Sequence, residues 1–418
     1  MPSFCATLIN DTETEQFLSE LVAPLGTAAN IPGGRLNINI VSDDDFNAFV
    51  RGGEDVFIYT GLLKQIKNPD ALVAVVAHEL GHTIGGHMAQ LSARMDAEMK
   101  RTMLIQALGI GLMVAGGNPS LGAGVLAGSS GVATQSMLAF SRDEERIADN
   151  LGIDLMIQSG QNPNGFITVF EQMNDLTGEL ENTINPNRIN HPLTRERLKN
   201  AREYIAEHAP DYRAPNTTTR DARYELVRAK LIGYLDDAKT VLTKYPYTDK
   251  SDSALYARAI ANMRGGNLDG ARMGVETLIS RNPNNGYFYE LLGDIEYQFG
   301  HYDDSVHAYE KSLSLIDNAP QIETALALVL SERKKPGDIS RAIELSKHVV
   351  LTEPTPLAYW VLARCYGDAD SGRHAWAMAE YHAMRGDTDK SVEYARRAQK
   401  HLKKNDPEYI KAGDLIKK

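Results

Sequence analysis

The feature that most narrows what this chain can fold into is a phrase that returns five times in its second half. Gly233-Tyr-Leu-Asp-Asp-Ala238, Gly266-Asn-Leu-Asp-Gly-Ala271, Gly300-His-Tyr-Asp-Asp-Ser305, Gly337-Asp-Ile-Ser-Arg-Ala342 and Gly386-Asp-Thr-Asp-Lys-Ser391 fall 33, 34, 37 and 49 residues apart. Each stands between two segments of helical apolar period, and Pro246, Pro283, Pro320, Pro354 and Pro407 close successive units where a helix has to stop. A repeat of this length is a helix pair that cannot bury its apolar face alone, so copies stack into a solenoid. The stretched last interval predicts an insertion around Tyr366 to His374. Stacked pairs leave a concave face suited to extended segments of other proteins.

The first half has no such period. Phe17, Leu18, Leu21, Val22 and Leu25 predict a helix that Pro32-Gly33-Gly34 ends. Leu36, Ile38 and Ile40 alternate with polar neighbours, and Phe46 to Val50 and Asp55 to Tyr59 follow as two more short strands. Thr60 opens a short helix, and Asn68-Pro69-Asp70 starts a longer apolar one running into His78. The polar, turn-rich stretch from Ala209 to Thr219 separates the halves, giving expected domains of 1–215 and 216–418. The fold class is therefore α+β: a mostly helical domain with a small β-sheet, followed by an α-solenoid.

With 44 basic and 55 acidic residues the net charge is −11, so a nucleic-acid partner is excluded as the main business of the surface. Two cysteines, Cys5 and Cys365, exclude a disulfide framework. Met1 to Leu8 lacks the basic start and apolar core of an intact signal peptide. Residues 102–141 contain no charge at all and are broken by Gly116-Gly117-Asn118-Pro119. A buried helical hairpin is the first reading of that stretch, and an apolar lip facing membrane or substrate is the second.

His78-Glu79-Leu80-Gly81-His82 carries the chemistry. A spacing of four puts both imidazoles on one helical face, one turn apart, where two neutral nitrogens can hold one Zn2+ with Glu79 beside them. A third ligand is required. A histidine six residues after His82 is ruled out because that position is Met88; His87 misses it by one and reads as structural. A carboxylate from a second helix is the other common solution, and Glu145 and Asp149, four apart in Ser141-Arg-Asp-Glu-Glu-Arg-Ile-Ala-Asp149, share a face.

These residues carry a resemblance. His78-Glu79-x-x-His82, then Ser141-Arg142-x-x-Glu145-x-x-Ala148-Asp149, then His191-Pro192-Leu193, resembles the M48 family of zinc metallopeptidases, and Asn47-Ala48-Phe49-Val50 and Thr60-Gly61-Leu62-Leu63 match its earlier pattern. The second half resembles a tetratricopeptide array, so the whole chain is similar to the bacterial periplasmic members of that family that carry such repeats. The resemblance implies a zincin-type domain with His78, His82 and Glu145 as zinc ligands and Glu79 as general base. Asp149, one turn past Glu145, suits the fixing of a ligand imidazole, and the resemblance implies that His191 lies on a loop near the metal, as an oxyanion stabiliser or a fourth ligand.

The function expected on these grounds is zinc-dependent endoproteolysis of misfolded or unassembled envelope proteins, with outer-membrane proteins implied by the resemblance alone. The repeats would recruit substrates or envelope assembly machinery in the periplasm, with possible membrane contact through 102–141. Asn47 to Val50 is the expected edge strand that pairs with an extended substrate. The rival class is a chaperone or scaffold whose zinc site stays latent; an intramembrane protease is a weaker third.

Overall fold

The computed structural model describes residues 7–87, 142–179, 195–213, 215–367 and 369–417. Cys5, the uncharged stretch 102–141 and His191 lie outside the described residues. The chain divides into two compact units, one of the residues up to Asn10 with Thr14–Arg228, the other of Asp11–Glu13 with Ala229–Lys418. The division falls inside a helix, Thr218–Leu235, and not at the polar 215/216 stretch. That helix serves both cores: Tyr224 and Val227 are buried in the first, Ala229 and Ile232 in the second.

The first unit begins with β1 (Leu8–Ile9) and α1 (Thr12–Ala28), whose first two residues count with the other unit. Then come β2 (Asn37–Val41), β3 (Ala48–Arg51), β4 (Asp55–Tyr59), α2 (Thr60–Gln65) and α3 (Pro69–Ile84). After the undescribed stretch follow α4 (Arg142–Gln158), α5 (Gly165–Glu179) and α6 (Arg195–His208). The sheet order is β1-β2-β4-β3, with β2 and β4 parallel and the outer pairs antiparallel. Register follows the period of two: Ala48 and Val50 of β3 lie opposite Ile58 and Val56 of β4, and all four are buried. On the other face Phe49 stacks on Phe57, ring centroids 4.6 Å apart. β3 is thus an edge of the sheet among the described residues. β1, two residues long, is too short to show a period.

Helix α3 is buried almost all round because sheet, α4 and α5 cover it. Its start is fixed by Asn68, whose side chain accepts from the Asp70 amide at 2.7 Å, and by Pro69 at the first helical position.

The second unit comprises the end of α7 (Thr218–Leu235), α8 (Ala238–Lys244), α9 (Asp252–Arg264), α10 (Leu268–Arg281), α11 (Gly286–Gln298), α12 (Tyr302–Leu313), α13 (Pro320–Arg333) and α14 (Asp338–Thr352), then α15 (Pro356–Tyr366), α16 (Ser371–Met384), α17 (Thr388–His401) and α18 (Pro407–Lys417). Gly266, Gly300, Gly337 and Gly386 sit between paired helices at φ of 77°, 77°, 89° and 75°, a left-handed conformation that explains why glycine opens each phrase. Gly233 differs: it is inside α7, where a Cβ would stand 3.0 Å from Ile260. The 49-residue interval holds three helices, α14, α15 and α16, so the extra length is a helix and not a loop.

A buried ion cluster ties this unit together. Lys230 Nζ lies 2.6 Å from Asp11, 3.3 Å from Glu13 and 3.1 Å from Glu290, and Tyr256 donates to Glu13 at 2.8 Å. Burial, opposed by Lys230, pushes Glu290 up to about 8. Three carboxylates therefore gather on one buried lysine, where water has little access. Lys230→Met should destabilise the protein by about 3–5 kcal/mol in denaturant unfolding, since uncompensated buried charge is left behind. The loss should be larger at pH 8 than at pH 5, where carboxyls with raised pKa take up protons and the uncompensated charge disappears.

Candidate metal centre

Three residues of α3 and α4 meet in the interior of the first unit. His78 and His82 are both buried, with their Nε2 atoms 3.1 Å apart and their rings edge to face. Glu145, in the first turn of α4, straddles the pair: Oε2 stands 3.4 Å from His78 Nε2 and Oε1 3.6 Å from His82 Nε2. Bonds of about 2.0–2.1 Å to a tetrahedral ion require donor atoms about 3.3–3.4 Å apart, so these three donors fit a small divalent cation. Two imidazoles and a carboxylate are also the donor set that zinc takes in catalytic sites. Among the described residues the only other cluster of this kind, Glu296, His301 and Asp304, already holds Arg272 on Glu296 at 2.6 Å.

The approach of α4 to α3 is set by small residues. A Cβ on Gly81 would stand 2.4 Å from the Ala148 carbonyl oxygen, and one on Gly152 would stand 3.0 Å from the Ala77 backbone and 2.7 Å from Phe166. The glycine inside the pentapeptide is thus what lets the second helix come near enough for its carboxylate to reach the histidines.

The outer nitrogens of both rings are engaged. His78 Nδ1 is 2.9 Å from Asp149 Oδ1, which turns Nε2 toward Glu145. His82 Nδ1 is 3.0 Å from His87 Nδ1. Five residues along a continuous helix would have turned His87 away, but α3 ends at Ile84 and the Gly85-Gly86 turn, with Gly86 at φ 68°, folds the chain back over the ring. Glu79 is buried beside the pair, and with His78 it lines an open recess that reaches the start of β3.

Arg197 was not foreseen. Its Nη1 lies 2.7 Å from Glu145 Oε2, while Nε and Nη2 donate to Asp149 at 2.9 and 2.8 Å, and its guanidinium lies over the Phe170 ring. Arg197, Ala201 and Ile205 are the buried residues of α6, at intervals of four, so the helical wheel of α6 alone marks it as a charge on the apolar face. Burial alone would depress His78, but Asp149 and Glu145 overcome this and hold it up to about 9. Asp149 is held below the usual carboxylate range by His78 and Arg197 against the opposing effect of burial.

Residues 11–205 match peptidase family M48. That stretch is an M48 peptidase domain. The chain is 23% identical over 408 residues to the beta-barrel assembly-enhancing protease of Escherichia coli (strain K12), covering 95% of this chain and 81% of that one. It is 27% identical over 194 residues to a mitochondrial metalloendopeptidase of Schizosaccharomyces pombe, covering 46% of this chain and 54% of that one. Among solved structures, a tetratricopeptide protein of Thermus thermophilus shares 17% identity over 47% of this chain and 94% of that one, at a TM-score of 0.27. The M48 domain and the named proteases make this chain a metalloendopeptidase. No helix of the described residues is long and apolar enough to cross a membrane.

Gly81→Val tests the helix contact on which the M48 site rests. The added side chain cannot fit against Ala148 without moving a backbone, so denaturant unfolding should show a loss of about 1–3 kcal/mol or more. Zinc affinity, measured by competition with a chromogenic chelator, should fall with it as Glu145 leaves the histidines.

Proposed function

We propose that this chain is a zinc-dependent endopeptidase of the periplasm that hydrolyses misfolded or unassembled envelope proteins, those of the outer membrane in particular. The observation that carries this reading is the mutual spacing of the His78, His82 and Glu145 donor atoms, which suits one tetrahedral ion. The protease named for β-barrel assembly in E. coli, alike along nearly the whole chain, supports the envelope setting.

His78, His82 and Glu145 hold the metal in this reading. Zinc held there would supply Lewis acidity, acidifying water and polarising the scissile carbonyl. Glu79 takes the proton from the attacking water and passes it to the leaving amine. Asp149 keeps the Nδ1 proton of His78 so that the Nε2 lone pair is left for the metal, and Arg197 offsets the charge of Asp149 and of Glu145 Oε2. His191 is assigned to the oxyanion or to a gating position on the metal. Edge strand β3, running beside α3, offers its main chain to an extended substrate, which suits unfolded clients of many sequences. The repeats recruit those clients or the assembly machinery.

Two results test this. Glu79→Gln should lower cleavage of an unfolded protein such as casein by a factor of about 100 or more while bound zinc stays at one per chain; wild-type protein with zinc that cleaves no better than the variant leaves only the binding-module reading. Metal uptake should also release protons. His78 without metal is cationic at neutral pH, and a proton on Nε2 excludes a metal, so apparent zinc affinity should rise about tenfold per pH unit up to the region of its pKa. Calorimetry in buffers of different ionisation enthalpy measures the proton count.

A further inference from the structure

We infer that His87 is a positioning residue of the metal centre: by accepting a hydrogen bond from His82 Nδ1 it leaves the His82 Nε2 lone pair for the ion, and it adds no charge in doing so. The inference rests on the zinc reading above and supplies the group that prepares the second imidazole.

A neutral imidazole has one N–H and one lone pair, so fixing the place of either fixes the other. His82 Nε2 is the atom that faces Glu145, and a neutral His82 that serves as a ligand there carries its proton on Nδ1. That Nδ1 lies 3.0 Å from His87 Nδ1, with the two rings 5.0 Å apart between centroids and inclined at 73°. Two nitrogens at this distance share one proton. If His82 donates, its Nε2 is open to a metal; if His87 donates, the proton of His82 sits on Nε2 and a metal is excluded. A loaded site therefore requires His87 as the acceptor, neutral and with its own proton on Nε2.

The turn after α3 is built to seat this ring. His87 is 2% exposed and His82 1%. Gly85 has φ −68° and ψ −7°, a conformation open to any residue, so its backbone gives no reason for a glycine. The His87 ring gives one: a Cβ on Gly85 would stand 2.7 Å from its Nε2 and 2.8 Å from its Cε1. Gly86, at φ 68°, does need the freedom of glycine, and it turns the chain back toward His82. One glycine thus makes the turn and the other makes room for the imidazole. A ring that only filled space would not have to present a nitrogen to the outer nitrogen of His82.

Charge explains why the acceptor is an imidazole. His78 is held by Asp149 at 2.9 Å, and that acid is offset by Arg197 at 2.8 Å. A carboxylate behind His82 as well would add buried negative charge beside Glu79 and Glu145 and would call for another cation. A neutral acceptor orients the ring and leaves the balance of charge as it is.

The test compares His87→Asn with His87→Leu in the full chain. Both side chains branch at Cγ as histidine does; asparagine can place its carbonyl oxygen where Nδ1 stood, whereas leucine places a methyl group there. Zinc affinity is measured by competition with a chromogenic chelator, and denaturant unfolding of the metal-free proteins checks the fold. His87→Leu should bind zinc about 10- to 100-fold more weakly than wild type, while His87→Asn should stay within about threefold. Gly85→Ala keeps His87 but displaces its ring, and it should weaken zinc binding as His87→Leu does. Equal affinity in wild type and His87→Leu overturns the assignment. An equal loss in His87→Asn and His87→Leu overturns it too, since the ring would then act by packing and not as an acceptor. Should His87→Leu fail to fold, Gly85→Ala decides: unchanged zinc affinity overturns the assignment, and a loss of about tenfold or more upholds it. Wild-type protein that takes up no zinc overturns the metal reading itself, and the role of His87 with it.

Discussion

The site depends on one place where two helices touch without side chains between them. At Gly81 and Ala148, α3 and α4 meet backbone to backbone, and a single methyl group there would need to occupy the space of a carbonyl oxygen. Ridge-into-groove packing ordinarily keeps helix axes 8–10 Å apart with side chains interdigitated. Removing the side chain at the crossing brings Glu145, three residues before Ala148, onto the histidines that flank Gly81. The carboxylate needs no long flexible reach, and the entropy of ordering it is met by packing that the core requires anyway.

Around that contact the charges are arranged in shells that check each other. Two carboxylates and two imidazoles buried together would repel or protonate if left alone, and Arg197 prevents the first outcome by binding both acids at once. The bidentate grip on Asp149 is geometrically specific in a way a lysine could not match. One arginine thus fixes the orientation of Glu145 and of Asp149, the acid that holds His78.

Much of this was legible in the residues, for identifiable reasons. The pentapeptide announces itself because both histidines lie within one helix, where spacing is geometry. Glu145 and Asp149 were readable as a pair for the same reason, and the turn glycines of the repeats because only their left-handed backbone excludes other residues. What was missed lies where a helix ends or where distant helices converge. His87 returns to His82 through a glycine turn that periodicity cannot follow, and Arg197, though on the apolar face of its own helix, meets Glu145 and Asp149 only through the fold. The polar linker marks a border by composition, whereas the compact units part within Thr218–Leu235, one unbroken helix.

The grouping of Asp11 and Glu13 with Lys230 and Glu290 also bears on how the molecule comes into being. These acids leave the ribosome early, hundreds of residues before the glutamate that completes their cluster. Closing so long a loop is slow, and until it closes these acids stay hydrated and cannot enter the buried cluster. Translation therefore has to finish nearly three of the helix pairs before the beginning of the polypeptide can settle. The solenoid, cut free at its own first helix, would keep only Glu290 of the three carboxylates that surround Lys230.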